Sequence, residues 1–462
     1  MSTVLFLNQP TTGHLNVMLT IALQMRDEGH KVRFLIPGKK VKLDPPFQVL
    51  KDAMSLPKTI ARHGIPVDVI LPPITALIKG IRVPYTSGYK EFSLVVGLAS
   101  IGTAYYVKSI LKYLESIKPD VLVSDFAFFP AHFAAELMDI PCAVIYHSGL
   151  PFKGSLIPPF ASGLPIGAVP DELYRQHEQR ERAVLRRLDE KLNRARQKFG
   201  LPPNPPDILR RPYSKWLNLV VSSQAIEAPR DNLTANTLYI GPCFTKRKNL
   251  PDICFPFGNL KSDRFKVYVS LGTVFNNKPE VFRKIMHALD HPDYQVVISA
   301  GGAYRKLIKR QIPNNVMLYP SVPQIDLLPN VDLVIGHGGN NSTNETLATG
   351  KPLIIMPIGG EQTDNASRVE YLGVGLRLNI MDFNAQELRQ KVEQIKNNPG
   401  FQQRASLLKE AIAQTDGCST SSGCIQWLAY HRRPLTRPEG FPITITRENF
   451  HDLMSGVPGQ RR

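Results

Sequence analysis

At 462 residues the chain is long enough for two or three domains, and its 43% hydrophobic and 21% charged residues are those of an ordinary soluble globular protein. The formal net charge of +17 is unusual: it suits steering of an anionic nucleotide, attraction to an acidic membrane surface, or plain solubility. No zinc-finger, KH or RNP pattern accompanies it, so nucleic acid is not an expected partner. Lys and Arg are spread along the chain, and their densest run, Arg175 to Arg211, is interleaved with Glu and Asp, which favours a solvated surface over a binding patch. The five cysteines, Cys142, Cys243, Cys254, Cys418 and Cys424, show no metal-ligand spacing, which predicts a reduced, cytoplasmic protein.

Val4 to Leu7 predicts a first strand, and Met1 to Asn8 lacks the basic segment and cleavage site of a signal peptide. A loop carrying Thr12, Gly13 and His14 follows, then an amphipathic helix over about Asn16 to Glu28 and a strand over Val32 to Ile36. That βαβ order implies a parallel sheet. The uncharged stretch Phe92 to Val107 is short for a membrane span and predicts a core or pocket-lining helix. The βαβ rhythm returns with the strand Val121 to Asp125, a helix over Pro130 to Met138 and the strand Cys142 to Tyr146.

A long charged helix from Asp171 to Phe199 ends at Pro202, Pro203, Pro205 and Pro206. Two short strands, Leu217 to Ser223 and Thr237 to Gly241, precede an aperiodic stretch that predicts a linker. A second α/β series then runs through strands at Phe265, Tyr294 and Asn315, and a last helix spans about Thr420 to His431. These shifts divide the chain into a domain at 1–242, a linker at 243–263, a domain at 264–418, a final helix at 419–433 and a tail at 434–462.

Val331 to Ala366 carries the most chemistry. An apolar run, Val331 to Ile335, ends at Gly336, His337, Gly338 and Gly339, and a polar stretch, Asn340 to Thr343, leads to a helical pattern opened by Glu345. A glycine-rich turn entering a helix N-terminus offers free N–H groups and the positive end of the dipole to one spot, which suits a diphosphate. Gly350, Lys351 and Pro352 then turn into a second buried strand, Leu353 to Met356, followed by Glu361, Gln362 and Asn365.

This segment resembles the sugar-nucleotide signature of the family 1 glycosyltransferases, which includes the plant natural-product enzymes and bacterial enzymes acting on macrolides and carotenoids. The resemblance implies a GT-B fold, α/β, with two Rossmann-like domains of parallel sheets facing across a cleft and the last helix crossing back to the N-terminal domain. It implies that His337, Gly339, Asn341 and Ser342 hold the diphosphate, Glu345 the ribose hydroxyls, and Glu361 and Gln362 the sugar. Ser270 and Thr273, in the segment Ser270-Leu-Gly-Thr, would complete the phosphate site, and Val322 and Gln324 would contact uracil. Two departures stand out: Ser321 replaces a usual Trp, and Glu361 replaces a usual Asp.

The same resemblance assigns His14 as the base and Asp125 as the carboxylate that orients it. The chemistry is coherent, because an alcohol needs a base as it attacks an anomeric carbon, and imidazole titrates near neutrality. Phe126, Phe129, Tyr146 and Phe152 stand near loops suited to a lipophilic acceptor. The expected reaction is inverting transfer of a hexose, glucose foremost, from a UDP-sugar to a hydroxyl. It calls for no metal and no cofactor beyond the UDP-sugar co-substrate. The alternatives are a glycolipid-forming transferase, a nucleotide-sugar epimerase, or a UDP-sugar-binding protein without turnover. A weak association with a membrane surface is compatible with the charge, and the oligomeric state is not legible.

Overall fold

A computed structural model describes residues 1–38, 48–73, 93, 97, 100–147, 150–167, 169–230, 233–244, 255–272 and 277–456; for 48–54 it describes the backbone alone. Six of the sixteen residues from Phe92 to Val107, the centre of the linker and Thr273 lie outside the described residues. Two compact units divide the chain. The first comprises 1–159, 170–245 and 414–462, and the second comprises 160–169 and 246–413. The expected N-terminal domain, 1–242, is therefore interrupted by a ten-residue stretch that packs with the second unit. No helix among the described residues is long and apolar enough to cross a membrane.

The first unit is built on seven strands: β1 (Thr3–Leu7), β2 (Lys31–Pro37), β3 (Val67–Ile70), β4 (Val121–Asp125), β5 (Cys142–Tyr146), β6 (Leu217–Val220) and β7 (Thr237–Tyr239). They lie in the order β3-β2-β1-β4-β5-β6-β7, all paired in parallel. Both faces are covered, so the strands are continuous apolar runs. Alternation along β1 sends its side chains to two cores. Val4 and Phe6 join the helices Thr12–Asp27 and Gly417–His431; Leu5 and Leu7 join the helices Thr103–Ile117 and Phe129–Leu137. The helix Gly417–His431, which a short helix Phe450–Gly456 follows in the chain, is capped by Asp416, whose carboxylate accepts Ser419 N–H at 3.1 Å, and its Ser422 hydroxyl donates to Glu28 at the end of the first helix.

The second unit holds β8 (Phe265–Ser270), β9 (Tyr294–Ser299), β10 (Val316–Tyr319), β11 (Leu333–Gly336), β12 (Leu353–Ile355) and β13 (Gly375–Arg377). Their order is β10-β9-β8-β11-β12-β13, again parallel. Each sheet reverses its direction of growth once, between β1 and β4 in the first and between β8 and β11 in the second. In doubly wound sheets ligands gather at the carboxyl ends of the strands that flank such a reversal.

Two helices begin earlier than the sequence suggests. The first starts at Thr12, so His14 stands on its first turn and not on a loop. The helix expected to open at Glu345 starts at Asn340. In both, the opening turn is polar or glycine-bearing, and apolar periodicity gives no sign of it.

Candidate active site

In the first unit the reversal point brings together residues far apart in sequence. His14 leaves the end of β1, and Asp125 is the last residue of β4. His14 Nδ1 lies 2.7 Å from Asp125 Oδ2. Asp125 is fully buried, whereas the His14 side chain keeps 24% of its surface exposed. The carboxylate is held from several sides: Gln9 N–H donates to Oδ2 at 3.3 Å and Ala127 N–H donates to Oδ1 at 2.9 Å. It thus closes the turn after β4 and orients the imidazole at once. Burial alone would raise its pKa, but the imidazoles of His14 and His147 outweigh that and hold it well below the usual carboxylate range. The group is an anion at any working pH.

The four expected acceptor aromatics separate by burial. Phe126 is partly exposed, with its ring 6.1 Å from that of His14. Phe129, Tyr146 and Phe152 are each 2% exposed and pack behind it; Tyr146 lies 4.9 Å from Phe152 and 5.5 Å from Phe126, ring to ring.

In the second unit, Ser270 ends β8 beside Gly336 of β11. The helix Asn340–Ala348 follows, and its N-cap residue, Gly339, supplies no side-chain cap. The ring of His337 sits between two glycines. A Cβ on Gly272 would fall 2.5 Å from its Cε1, and one on Gly339 would fall 2.6 Å from its Nε2. Gly272 also has φ +74°, a left-handed conformation that favours glycine. His337 Nδ1 is buried without a hydrogen-bond partner among the described residues. Burial pulls the pKa of this imidazole down to about 4 against a backbone hydrogen bond to Ser270 that raises it. The residue is thus a neutral imidazole at physiological pH.

Gln324, Ser342 and Glu345 form one cluster. Gln324 Nε2 lies 2.5 Å from Glu345 Oε2 and 3.3 Å from Ser342 Oγ, and Tyr268 OH donates to Gln324 Oε1 at 2.9 Å. Val322, next along the chain, is 7% exposed. Asn341 stands on the first turn of the helix. Glu361 and Gln362 begin the helix Glu361–Tyr371, and Gln362 Oε1 accepts Ile358 N–H at 2.9 Å, leaving its amide nitrogen as the available donor. Asn365, buried, donates to the carbonyl of Gly338 at 2.7 Å and so fixes the glycine turn.

Residues 213–413 match the family model described as UDP-glucoronosyl and UDP-glucosyl transferase. Over 92% of its length the chain is 28% identical to 4'-demethylrebeccamycin synthase of Lentzea aerocolonigenes, and the match covers 99% of that protein. Its structure is similar to that of the calicheamicin glycosyltransferase CalG4, with TM-score 0.71 and 18% identity over 94% of this chain and 100% of that one. It is also similar to the spinosyn rhamnosyltransferase SpnG complexed with thymidine diphosphate, with TM-score 0.63 and 18% identity over 92% of this chain and 99% of that one.

The chain is a glycosyltransferase, similar over residues 213–413 to the family 1 type.

Its fold is GT-B. Three site residues of this glycosyltransferase gave no sequence signal. Tyr268 is hidden in the apolar pattern of β8. Arg368, 4% exposed, braces the helix Asn340–Ala348 through Asn340 Oδ1 at 3.1 Å. His147 follows β5 directly and approaches the other carboxylate oxygen of Asp125, Oδ1. Only the pairing of β4 with β5 reveals it.

Behind Asp125 the glycosyltransferase buries a further imidazole. His132 lies 3.0 Å from Tyr213 OH and 3.4 Å from the carbonyl of Asp125. Burial pulls its pKa to about 4. An unfolded histidine titrates near 6.5. As the pH falls from about 6.5 to 4, the unfolded chain takes up protons that folded His132 and His337 refuse, so stability is lost through that window. The melting temperature should decline from pH 7 to pH 4.5, and His132→Gln should flatten the decline. Equal slopes for variant and parent would show that His132 titrates normally. Asp125, whose pKa is depressed, adds its own loss only at still lower pH.

Proposed function

We propose that this glycosyltransferase moves a hexose, glucose foremost, from a UDP-sugar to a hydroxyl of a lipophilic small molecule, inverting the anomeric centre without a metal or further cofactor. The observation that carries the reading is the 2.7 Å contact of partly exposed His14 with buried, anionic Asp125. With Nδ1–H directed at the carboxylate, Nε2 carries the basic lone pair. The acceptor O–H gives its proton to Nε2 as oxygen bonds to the anomeric carbon, and the bond from that carbon to the diphosphate breaks. Asp125 stabilises the resulting imidazolium.

The leaving diphosphate gains charge as it departs. The first amides of the helix Asn340–Ala348 and neutral His337, with Ser270, Gly339, Asn341 and Ser342 around them, are suited to receive it, and Thr273 is assigned to the same group from sequence alone. Glu345, held by Gln324, takes the ribose hydroxyls, and Glu361 and Gln362 the sugar. Relatives named for rebeccamycin and calicheamicin support natural-product glycosylation with a lipophilic acceptor. The thymidine diphosphate of the SpnG complex makes TDP-sugars the donors to test against UDP-sugars.

Mass spectrometry of a matrix of UDP-glucose, UDP-galactose, UDP-N-acetylglucosamine and TDP-glucose against lipophilic alcohols and phenols should give one hexose per product. Proton NMR should show β-linkage from an α-linked donor. An α-linked product would refute inversion, and a free epimer as the sole product would make the protein an epimerase. For the ribose contact, Glu345→Ala should weaken UDP by about 1.5–3 kcal/mol, the scale of a hydrogen bond to a charged group. An unchanged dissociation constant in calorimetry would place the ribose elsewhere.

A further inference from the structure

The anion at the base of the active site has two imidazoles upon it. His147 Nε2 stands 3.6 Å from Asp125 Oδ1, the oxygen not used by His14. The rings of His14 and His147 meet edge to face with centroids 4.3 Å apart. One nitrogen of each imidazole and one carboxylate oxygen all lie within 4.8 Å of one another. Phe126 closes the group, its ring 5.6 Å from that of His147. His147 itself is 2% exposed.

We infer that His147 is a positioning residue for the transfer reaction: as a neutral imidazole it donates Nε2–H to Asp125 Oδ1, fixing the carboxylate so that Oδ2 faces His14. This rests on the reading of His14 as the base. An ionised carboxylate only accepts, and Oδ1, which already takes Ala127 N–H at 2.9 Å, has a further lone pair for a second donor. The 3.6 Å separation needs a small side-chain movement to close, and such contacts commonly tighten in the reacting complex.

Charge makes the neutral form necessary. Burial first, and the neighbouring His14 second, lower the pKa of His147 against the pull of Asp125. A second cation there would compete with the imidazolium that forms on His14. The titratable groups around it are His14 on the first helix, Asp125 at the end of β4, and His132 with Tyr213 on the far side of the Asp125 carbonyl. His132 is itself held neutral by burial. Asp125 is thus the anion His14 meets, and His147 tempers its basicity.

The test separates this role from mere packing. His147→Phe keeps the ring and removes the donor. Its kcat should fall roughly tenfold or more, the loss of a hydrogen bond to a charged group, with KM for the donor sugar unchanged. Without that hydrogen bond Asp125 becomes more basic and holds the imidazolium more firmly, so the acid limb of the pH–rate profile should move to higher pH. Removing the carboxylate charge by Asp125→Asn should move the limb the opposite way. His147→Gln, which restores an N–H, should recover part of the rate and return the limb toward its original position.

An acid limb unmoved in His147→Phe, measured on protein of normal melting temperature, would overturn the inference. A fall in rate that follows only a loss of folded protein would overturn it too. Should His147→Phe fail to fold, the limb in His147→Leu, which also lacks a donor, decides. Failure of the base reading shows differently: His14→Ala would then turn over normally, whatever the His147 variants do.

Discussion

His14→Ala should lower the rate of sugar transfer by about 10²–10⁴-fold, the usual loss of a positioned general base. The fall belongs in kcat, because the imidazole acts on a proton that moves only in the transition state. UDP affinity should stay as it was, since the groups assigned to the nucleotide belong to the second unit. The side chain is 24% exposed and makes one charged contact, so the variant should fold normally. Single-turnover rates with calorimetry of UDP binding would check both halves. A near-normal rate would remove His14 from the chemistry, and weakened UDP binding would mean the substitution had disturbed more than the base.

Asp125→Asn should be nearly as damaging, with a rate roughly 10²–10⁴-fold lower and a distinct pH signature. The parent carboxylate stays ionised at working pH because His14 and His147 outweigh the penalty of burial. An amide in its place leaves the imidazolium without a counter-charge, so protonating His14 becomes harder. The acid limb of the pH–rate profile then moves to lower pH while the plateau drops. Asn can still accept Ala127 N–H, so the turn after β4 should persist. If rate and profile were unaltered, Asp125 would serve only to close that turn.

Much of this arrangement was legible because its strands are unambiguous. Val121 to Asp125 and Cys142 to Tyr146 are apolar runs with clear ends, and the structure gives them the same limits. The His337 turn and its helix were visible as a glycine cluster followed by polar residues. The helix start at Asn340 was not, because a helix that buries Asn340, Thr343, Asn344 and Thr346 has no apolar stripe on its first turn. β13, only three residues long, offers no period to detect.

The site partners were legible unevenly for a physical reason. A motif advertises residues close in sequence, whereas His14 and Asp125 meet only because β1 pairs with β4. A solitary histidine after an apolar strand, as His147 is, carries no local pattern. The aromatic residues near the site show the converse failure. Phe129, Tyr146 and Phe152 look like pocket walls from their position at or after strand ends, but composition cannot tell an exposed ring from one 2% exposed.

The stretch Phe160–Val169 bears on how such enzymes can be recombined. Although it interrupts the first unit in sequence, its backbone is tied to the second: Asp364 accepts Ala161 N–H at 2.7 Å, and Ser367 donates to the carbonyl of Leu164 at 2.8 Å. A hybrid made by exchanging halves at the linker alone would join this stretch to a foreign Asp364 helix. The exchange would then carry a mismatched seam. A hybrid carrying residues 160–169 with its own second unit avoids the mismatch. For this chain the boundary of a transplantable module is discontinuous, and four crossover points, not one, define it.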